Sequence, residues 1–430
     1  MSLLPNVIFA IILFSGLGFF VRNVSKLKRN IYLGKEVDTS GNTKLRCSNM
    51  VKIALGQGKM IRRPIAGILH IVVYVGFVII NIEVLEIVID GLFGTHRIFS
   101  VIGPFYGVLI GTFEMLAALV FISVIVFWFR RNIVNVQRFM KSEMKGWPKL
   151  DGNLILYFEI VLMALFITMN ATDVEFQSSN SGNIISQFFA PMFEGTNVTL
   201  IERIAWWMHI VGILIFLNYL YYSKHLHILL AFPNTYYGSV NPKGQLDNLE
   251  AVTKEVKLMM DPDANPYAAV DEDAVAPDKF GASDVQDLNR IQLLNAYTCT
   301  ECGRCTSECP ANQTGKKLSP RKIMMDTRDR LVEVGNNIDA NNGEFKLDGK
   351  QLLGDYITNE ELWACTSCNA CVEACPISID PLSIILEMRR YLVMEQSAAP
   401  MELNNMMSNI ENNGAPWPYN QMDRLNWKNN

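Results

Sequence analysis

Eight cysteines fall into two copies of one pattern, Cys299-Thr300-Glu301-Cys302-Gly303-Arg304-Cys305-Thr306-Ser307-Glu308-Cys309-Pro310 and Cys365-Thr366-Ser367-Cys368-Asn369-Ala370-Cys371-Val372-Glu373-Ala374-Cys375-Pro376. Each reads C-x2-C-x2-C-x3-C-P, the spacing by which thiolates hold a [4Fe-4S] cube, the fourth cysteine of each run reaching the other cluster. This predicts one cluster on Cys299, Cys302, Cys305 and Cys375, and a second on Cys365, Cys368, Cys371 and Cys309. Structural zinc sites usually pair a C-x2-C with a distant second pair, and two four-cysteine runs are not that pattern. Two such clusters move electrons one at a time. The ninth cysteine, Cys47, stands alone in a basic segment and is read as a small residue with no role.

The five histidines, His70, His96, His209, His225 and His227, all lie outside the cysteine-bearing part. His70 and His209 fall within long apolar runs, where an ionisable residue is costly and is first read as functional. His209 and His227 are eighteen positions apart. On one continuous helix that is five turns, so both imidazoles would face the same way about 27 Å apart, with His225 pointing nearly opposite. One imidazole near each surface, facing neighbouring helices, is the construction of a di-haem b cytochrome. The alternative for any one of them is a hydrogen bond to a neighbouring helix. Beside iron-sulfur clusters the pattern favours haem b: one haem held by His70 and His227, and a possible second on His209, for which only His96 in a loop remains as partner. Glu83, Glu86, Glu114 and Glu159 are carboxyl groups at membrane depth, placed either to carry protons for a quinone or to pair with a neighbouring helix.

The elements that must position these groups follow from hydropathy. Half of the residues are hydrophobic and only 19% are charged. Five apolar runs, at about Pro5–Val21, Pro64–Ile89, Gly103–Phe129, Leu154–Ala171 and Ile204–Tyr222, each approach the roughly 20 residues that cross a bilayer core. The first has no basic leader region and is read as a retained anchor. Basic residues crowd the segments 22–63 and 130–149, whereas 172–202 carries Asp173, Glu175 and Glu194 before Arg203. The positive-inside rule then puts the N-terminus outside and everything after Tyr222 in the cytoplasm, at the cytoplasmic (inner) membrane. In that reducing compartment thiolates bind metal rather than forming disulfides. A net charge of −4 gives no reason to expect a nucleic-acid partner.

Residues 232–282 read as a linker rich in Pro, Asp, Asn and Gly. Helix-start signals surround the cysteines: Ser283 with Gln286 and Thr358 with Glu361 as capping boxes, and Ser319-Pro320 and Asp380-Pro381 as caps followed by proline. These open amphipathic stretches at 321–334 and 382–395. The expectation is an all-α membrane protein: a five-helix transmembrane cytochrome b bundle (1–231), the linker, a helical ferredoxin domain with two [4Fe-4S] clusters (283–396), and a polar tail (397–430) that docks a partner or wraps the ferredoxin domain.

His70 six residues before Gly76-Phe77, Trp206-Trp207-Met208-His209 and Ser223-Lys224-His225-Leu226-His227 resemble the membrane-bound iron-sulfur oxidoreductases related to heterodisulfide reductase. Their five-helix domain is similar to the gamma subunit of respiratory nitrate reductase, and some members look like electron-transfer-flavoprotein:menaquinone oxidoreductases. The resemblance extends to Pro416-Trp417-Pro418 and Asp423-Arg424-Leu425-Asn426-Trp427. It departs where the second helix carries His70 alone instead of two histidines, and where relatives continue into CCG domains. It implies a membrane electron-transfer subunit between a cytoplasmic donor, the clusters, haem b and a quinone, specifically menaquinone. The expected partners are the lipid bilayer, the quinone, and a CCG-domain subunit or an electron-transfer flavoprotein that handles the substrate. Two other classes remain open: a subunit of a disulfide reductase, and a redox sensor without catalytic turnover.

Overall fold

The computed structural model describes residues 3–179, 181–263 and 279–428. Among these the chain is helical, with isolated bridges but no β-strand. Five long helices come first: α1 (Leu4–Ile31), α2 (Pro64–Phe93), α3 (Pro104–Asn132), α4 (Trp147–Thr172) and α5 (Val198–Tyr219). Proline stands in the first turn of α1 through α4, where its missing N–H costs nothing. Each helix packs on the next and α1 closes against α5, so the five form a ring. Ile110, Phe113, Phe166 and Ile210 fill its interior. Its outer surface leaves Phe14, Phe105 and Val108 exposed by 64%, 76% and 69%. An apolar surface of that extent is stable against lipid and not against water. The chain is a multi-pass membrane protein, in which the five helices are long and apolar enough to span.

The second half contains α6 (His227–Tyr237), α7 (Arg290–Thr298), α8 (Pro320–Ala340), α9 (Pro381–Met394) and α10 (Met401–Asn413), with short helices between them. Ser319 and Asp380 cap α8 and α9 ahead of their prolines, and Thr358 forms its capping box with Glu361, all as expected. The box at Ser283 and Gln286 is replaced by two others, Asp284 with Asp287 and Asn289 with Gln292. The cause is local. The Asp287 carboxylate collects the N–H groups of Ser283 and Asp284, which shifts the cap by one residue.

Two further expectations change. The helix carrying His209 does not run on to His227: Ser223 is extended (φ −111°, ψ 146°) and single turns flank it. Asp151 of α4 takes the Lys224 N–H at 3.2 Å and the Tyr219 hydroxyl at 2.6 Å, and the Ser223 hydroxyl caps the next turn. Local side-chain bonds of this kind outcompete the helix. The five-turn alignment of the two histidines therefore does not exist. The boundary drawn at 231/232 also falls inside α6, which packs on α7. A further helix occupies Glu250–Met260, so the segment read as linker is structured in part; residues 264–278 of it lie outside the described residues. The tail carries α10 and exposes Met401, Trp417, Met422 and Trp427.

Candidate functional site

The two cysteine runs fold alike. In the first, Glu301 and Gly303 have positive φ (55° and 72°); in the second, Ser367 and Asn369 do (54° and 62°). A short helix follows each, Arg304–Glu308 and Ala370–Ala374, and the two pack on each other. Left-handed residues on either side of the second cysteine turn the loop tightly and direct backbone N–H groups inward. That of Ser367 reaches the Cys365 sulfur at 3.4 Å. At Gly303 a Cβ would lie 2.6 Å from Arg321, so this position has no room for a side chain.

One cavity is lined by Cys299, Cys302, Cys305, Cys371 and Cys375. Burial raises the Cys299 thiol to about 12 and Cys375 to about 11, and the neighbouring thiols of this group add to both. Cys305 is pushed up by burial and by Cys299, Cys302, Cys375 and Cys371. Around Cys365 the neighbours are Cys309 and Cys368, and Cys371 feels Cys365 and Cys309. Cys299, Cys302, Cys305 and Cys375 are thus neighbours, as are Cys365, Cys368, Cys371 and Cys309, and Cys371 stands near both groups. Four thiolates in an apolar cradle repel one another unless a cationic core lies between them, and this donor set fits an iron-sulfur cube. Among the described residues no three His, Cys, Asp or Glu side chains converge as they would on a single metal ion.

At the end of the bundle facing these loops, the His70 and His227 rings lie 6.4 Å apart between centres. That is about the separation of two imidazoles on opposite sides of one metal with bonds of about 2 Å. The His227 Nδ1 meets the Lys224 carbonyl at 3.2 Å; since a carbonyl only accepts, Nδ1 carries the proton and Nε2 keeps its lone pair. Burial holds His227 neutral, its value lowered to about 4. His70 Nδ1 is buried without a partner. His225 packs on Phe216, its ring perpendicular to that of His227. The residues therefore fit a haem between His70 and His227.

His209 is placed differently. It is 1% exposed, packs on Phe166, and faces the Glu83 carboxylate at 4.0 Å. The Leu162 carbonyl is near the ring but outside hydrogen-bonding geometry. His96, its only prospective partner, is held instead by Asp173 at 3.3 Å and Glu175 at 3.6 Å. No second imidazole is brought to His209. Of the other carboxyls, Glu86 accepts from the Phe99 N–H and Tyr106, and Glu114 from Asn170, Ile185 and Ser186. Both staple the loops of the far end. A cavity there is lined by Phe9, Trp206, Trp207, Asp90, His96 and Arg203.

The reading by residue type missed the charged groups beside the ligands. Arg304 donates to the carbonyls of Lys59 and Met60, just before α2; its charge reaches Cys302 and Cys375 on one side and His70 on the other. Arg389 donates to the carbonyls of Leu362 and Cys365 and stacks on Trp363. The only signal in the sequence was a charged residue within a cysteine or histidine run, as Glu301, Arg304 and Lys224 are.

The 4Fe-4S dicluster domain family matches residues 298–379. Across most of its length the chain is similar to the probable iron-sulfur-binding oxidoreductase FadF of Bacillus subtilis, 29% identical over 95% of this chain and 58% of that protein. It is similar also to the EtfAB:quinone oxidoreductase of Syntrophomonas wolfei, 26% identical over 87% of this chain and 52% of that one. A shorter stretch, 28% of the chain, is 32% identical to one subunit of the ferredoxin/F(420)H(2)-dependent CoB-CoM heterodisulfide reductase of Methanosarcina acetivorans, covering 60% of it. No solved structure matches significantly. In this chain a 4Fe-4S dicluster domain is joined to five membrane-type helices, and the two relatives that match most of it are named as oxidoreductases. The chain spans about half the length of these curated relatives.

Proposed function

We propose that this chain is a membrane electron-transfer subunit that connects a soluble electron donor to quinone through two [4Fe-4S] clusters and one haem b. The observation that carries the reading is the facing pair His70 and His227, 6.4 Å apart, at the end of the bundle on which the cysteine domain docks. When bound, the clusters and the haem exchange single electrons, and the quinone takes up two electrons with two protons. Cys299, Cys302, Cys305 and Cys375 hold one cluster, and Cys365, Cys368, Cys371 and Cys309 the other. The Lys224 carbonyl fixes the His227 tautomer so that Nε2 faces the metal. Arg304, between Cys302 and His70, offsets negative charge on both sides of the joint. His209 and Glu83, buried with no other partner for the Glu83 oxygen, form a proton-holding pair on the quinone side, and the aromatic cavity beyond them is the place for a flat ring. The basic segments lie on the ferredoxin side, which we assign to the cytoplasm.

The name of the Syntrophomonas relative supports an electron-transfer flavoprotein as donor and quinone as acceptor; menaquinone is the quinone we assign. A CCG-domain subunit is the second donor to test, and the tail 397–430, exposed at Met401, Trp417, Met422 and Trp427, is its docking strip. The similarity to heterodisulfide reductase subunits favours a second reading, in which a partner cleaves a disulfide. Reduced-minus-oxidised optical spectra of the purified chain test the haem: a b-type band supports the reading, and its absence from protein with full iron content overturns it. Stopped-flow reduction of a quinone analogue by the pre-reduced protein separates this function from a sensor, which would turn over slowly or not at all.

A further inference from the structure

Between the first cysteine run and the histidine pair lies a buried bridge of charged side chains. Glu301 sits between Cys299 and Cys302, is 2% exposed, and holds a left-handed backbone (φ 55°) that costs a non-glycine residue energy. One of its carboxylate oxygens accepts from Arg328 of α8 at 2.7 Å, and the other from the Lys224 ammonium. Burial pushes this carboxyl up, but Lys224 and Arg328 outweigh it and hold it below the ordinary value. The Lys224 ammonium also donates to the Pro148 carbonyl at 2.7 Å and lies 3.7 Å from Asp151. Its backbone N–H is held by Asp151, and its carbonyl holds His227 Nδ1. From the cysteine loop to the imidazole, the path therefore consists of Glu301, Lys224 and two hydrogen bonds.

We propose that Lys224 and Glu301 are positioning residues that lock the first iron-sulfur loop to the His227 imidazole and so set the joint across which electrons pass. The proposal rests on the reading of His70 and His227 as haem ligands and of Cys299, Cys302, Cys305 and Cys375 as one cluster's ligands. The bridge differs from the other contacts between the two halves. Lys26 and Arg29 with Asp339 are about a third exposed, lie outside both ligand-bearing segments, and hold the domains as surface pairs do, weakly. The Lys224 and Glu301 side chains are 9% and 2% exposed. Removing either leaves its partner's charge buried, and Lys224 is anchored by backbone as well as side chain. A loss of Glu301 is therefore felt at the His227 ring, which it does not touch.

The test uses the full chain in detergent, with iron, acid-labile sulfide and haem measured in every variant. In Glu301→Gln and Lys224→Met we expect a shift in the haem half-reduction potential and in its low-temperature optical band, and at least tenfold slower transfer from pre-reduced clusters to haem. Lys224→Arg, which keeps the cation, restores the parent band and most of the rate. Lys26→Ala and Arg29→Ala serve as docking controls and leave the haem band and potential unchanged. Parent-like spectra, potentials and rates in both bridge variants overturn the proposal, as does an equal shift in the docking controls. If Lys224→Met does not accumulate, the near-isosteric Glu301→Gln decides alone. Failure of the underlying reading is separable, since it would appear as a missing b-type band in the unaltered protein.

Discussion

Cys375 belongs by position to the second cysteine run, yet it lines the cavity of the first with Cys299, Cys302 and Cys305. In the ligand sets we propose, each cluster depends on both runs, which ties two segments more than fifty residues apart into one unit. Two cubes hold about eight irons. Cys375→Ser should cost the cluster of the first run, so non-haem iron falls toward about four per chain while the signal of the cluster on Cys365, Cys368 and Cys371 persists. Iron and sulfide analysis with electron paramagnetic resonance distinguishes this from a loss confined to the second run. The backbone of each loop was not legible from the cysteines: Glu301 and Ser367 adopt positive φ because the loop must turn around its centre, not because their side chains favour it.

At the scale of elements, α1 is longer than a membrane needs. Its 28 residues span about 42 Å against a core of about 30 Å, and the surplus docks on the ferredoxin domain. Asn30 donates to the Tyr297 hydroxyl at 2.9 Å, Arg29 to the Gly335 carbonyl at 2.9 Å and to Asp339. Just beyond, Lys35 pairs backbone to backbone with Leu288 and Arg290. Gly34 permits that approach: a Cβ there would lie 2.8 Å from the Leu288 carbonyl oxygen and 2.9 Å from the Arg290 nitrogen, and backbone cannot step aside as a side chain can. Gly34→Ala should destabilise the docked state by about 1–3 kcal/mol, the usual cost of overpacking. Faster proteolysis between the two halves, with the thermal transition of the bundle itself unchanged, is the expected observation. In the sequence, the ends of the apolar runs marked where the membrane stops, but a helix running on into water to meet another domain leaves no hydropathy signal.

Across the whole molecule the two ends of the bundle are held by different chemistry. The ferredoxin end is joined by pairs such as Arg321 with Glu143 at 2.7 Å and Lys224 with Glu301, none of which involves histidine. The far end relies on His96 and Asp173. The hydrogen bond from His96 to Asp173 raises the imidazole above its ordinary value; burial would raise Asp173, but His96 and Arg97 outweigh it and hold it low. A raised histidine contributes fully below its unfolded value of about 6.5 and loses that contribution as pH rises through the folded value. A lowered aspartate contributes above about 3.9 and loses it as pH falls. The lock is therefore strongest between about pH 4 and 6.5. Hydrogen exchange in the loops around residues 94–103 and 173–179 should quicken from pH 6 to pH 9 beyond the intrinsic base-catalysed increase, and His96→Asn should abolish that excess.

The five membrane-type helices, the dicluster cysteine runs and the caps of α8 and α9 were all legible in the sequence, because apolar periodicity, ligand spacing and helix-start chemistry are local properties of the chain. The pairing of His70 with His227 was expected on a straight helix that does not exist, and the rings meet because Asp151 and Ser223 break the chain and turn it back. His209 was expected to seek an imidazole and faces Glu83 instead, since which helix faces which is decided by packing around the closed ring. The basic loops, read as a sign of orientation, also supply Arg62 and Arg63 as partners for Glu373 and Glu308, and Lys224 after the fifth helix pairs with Glu301. Such pairings join residues some 77 to 311 positions apart, and only the tertiary structure, by bringing their charges within contact, decides them.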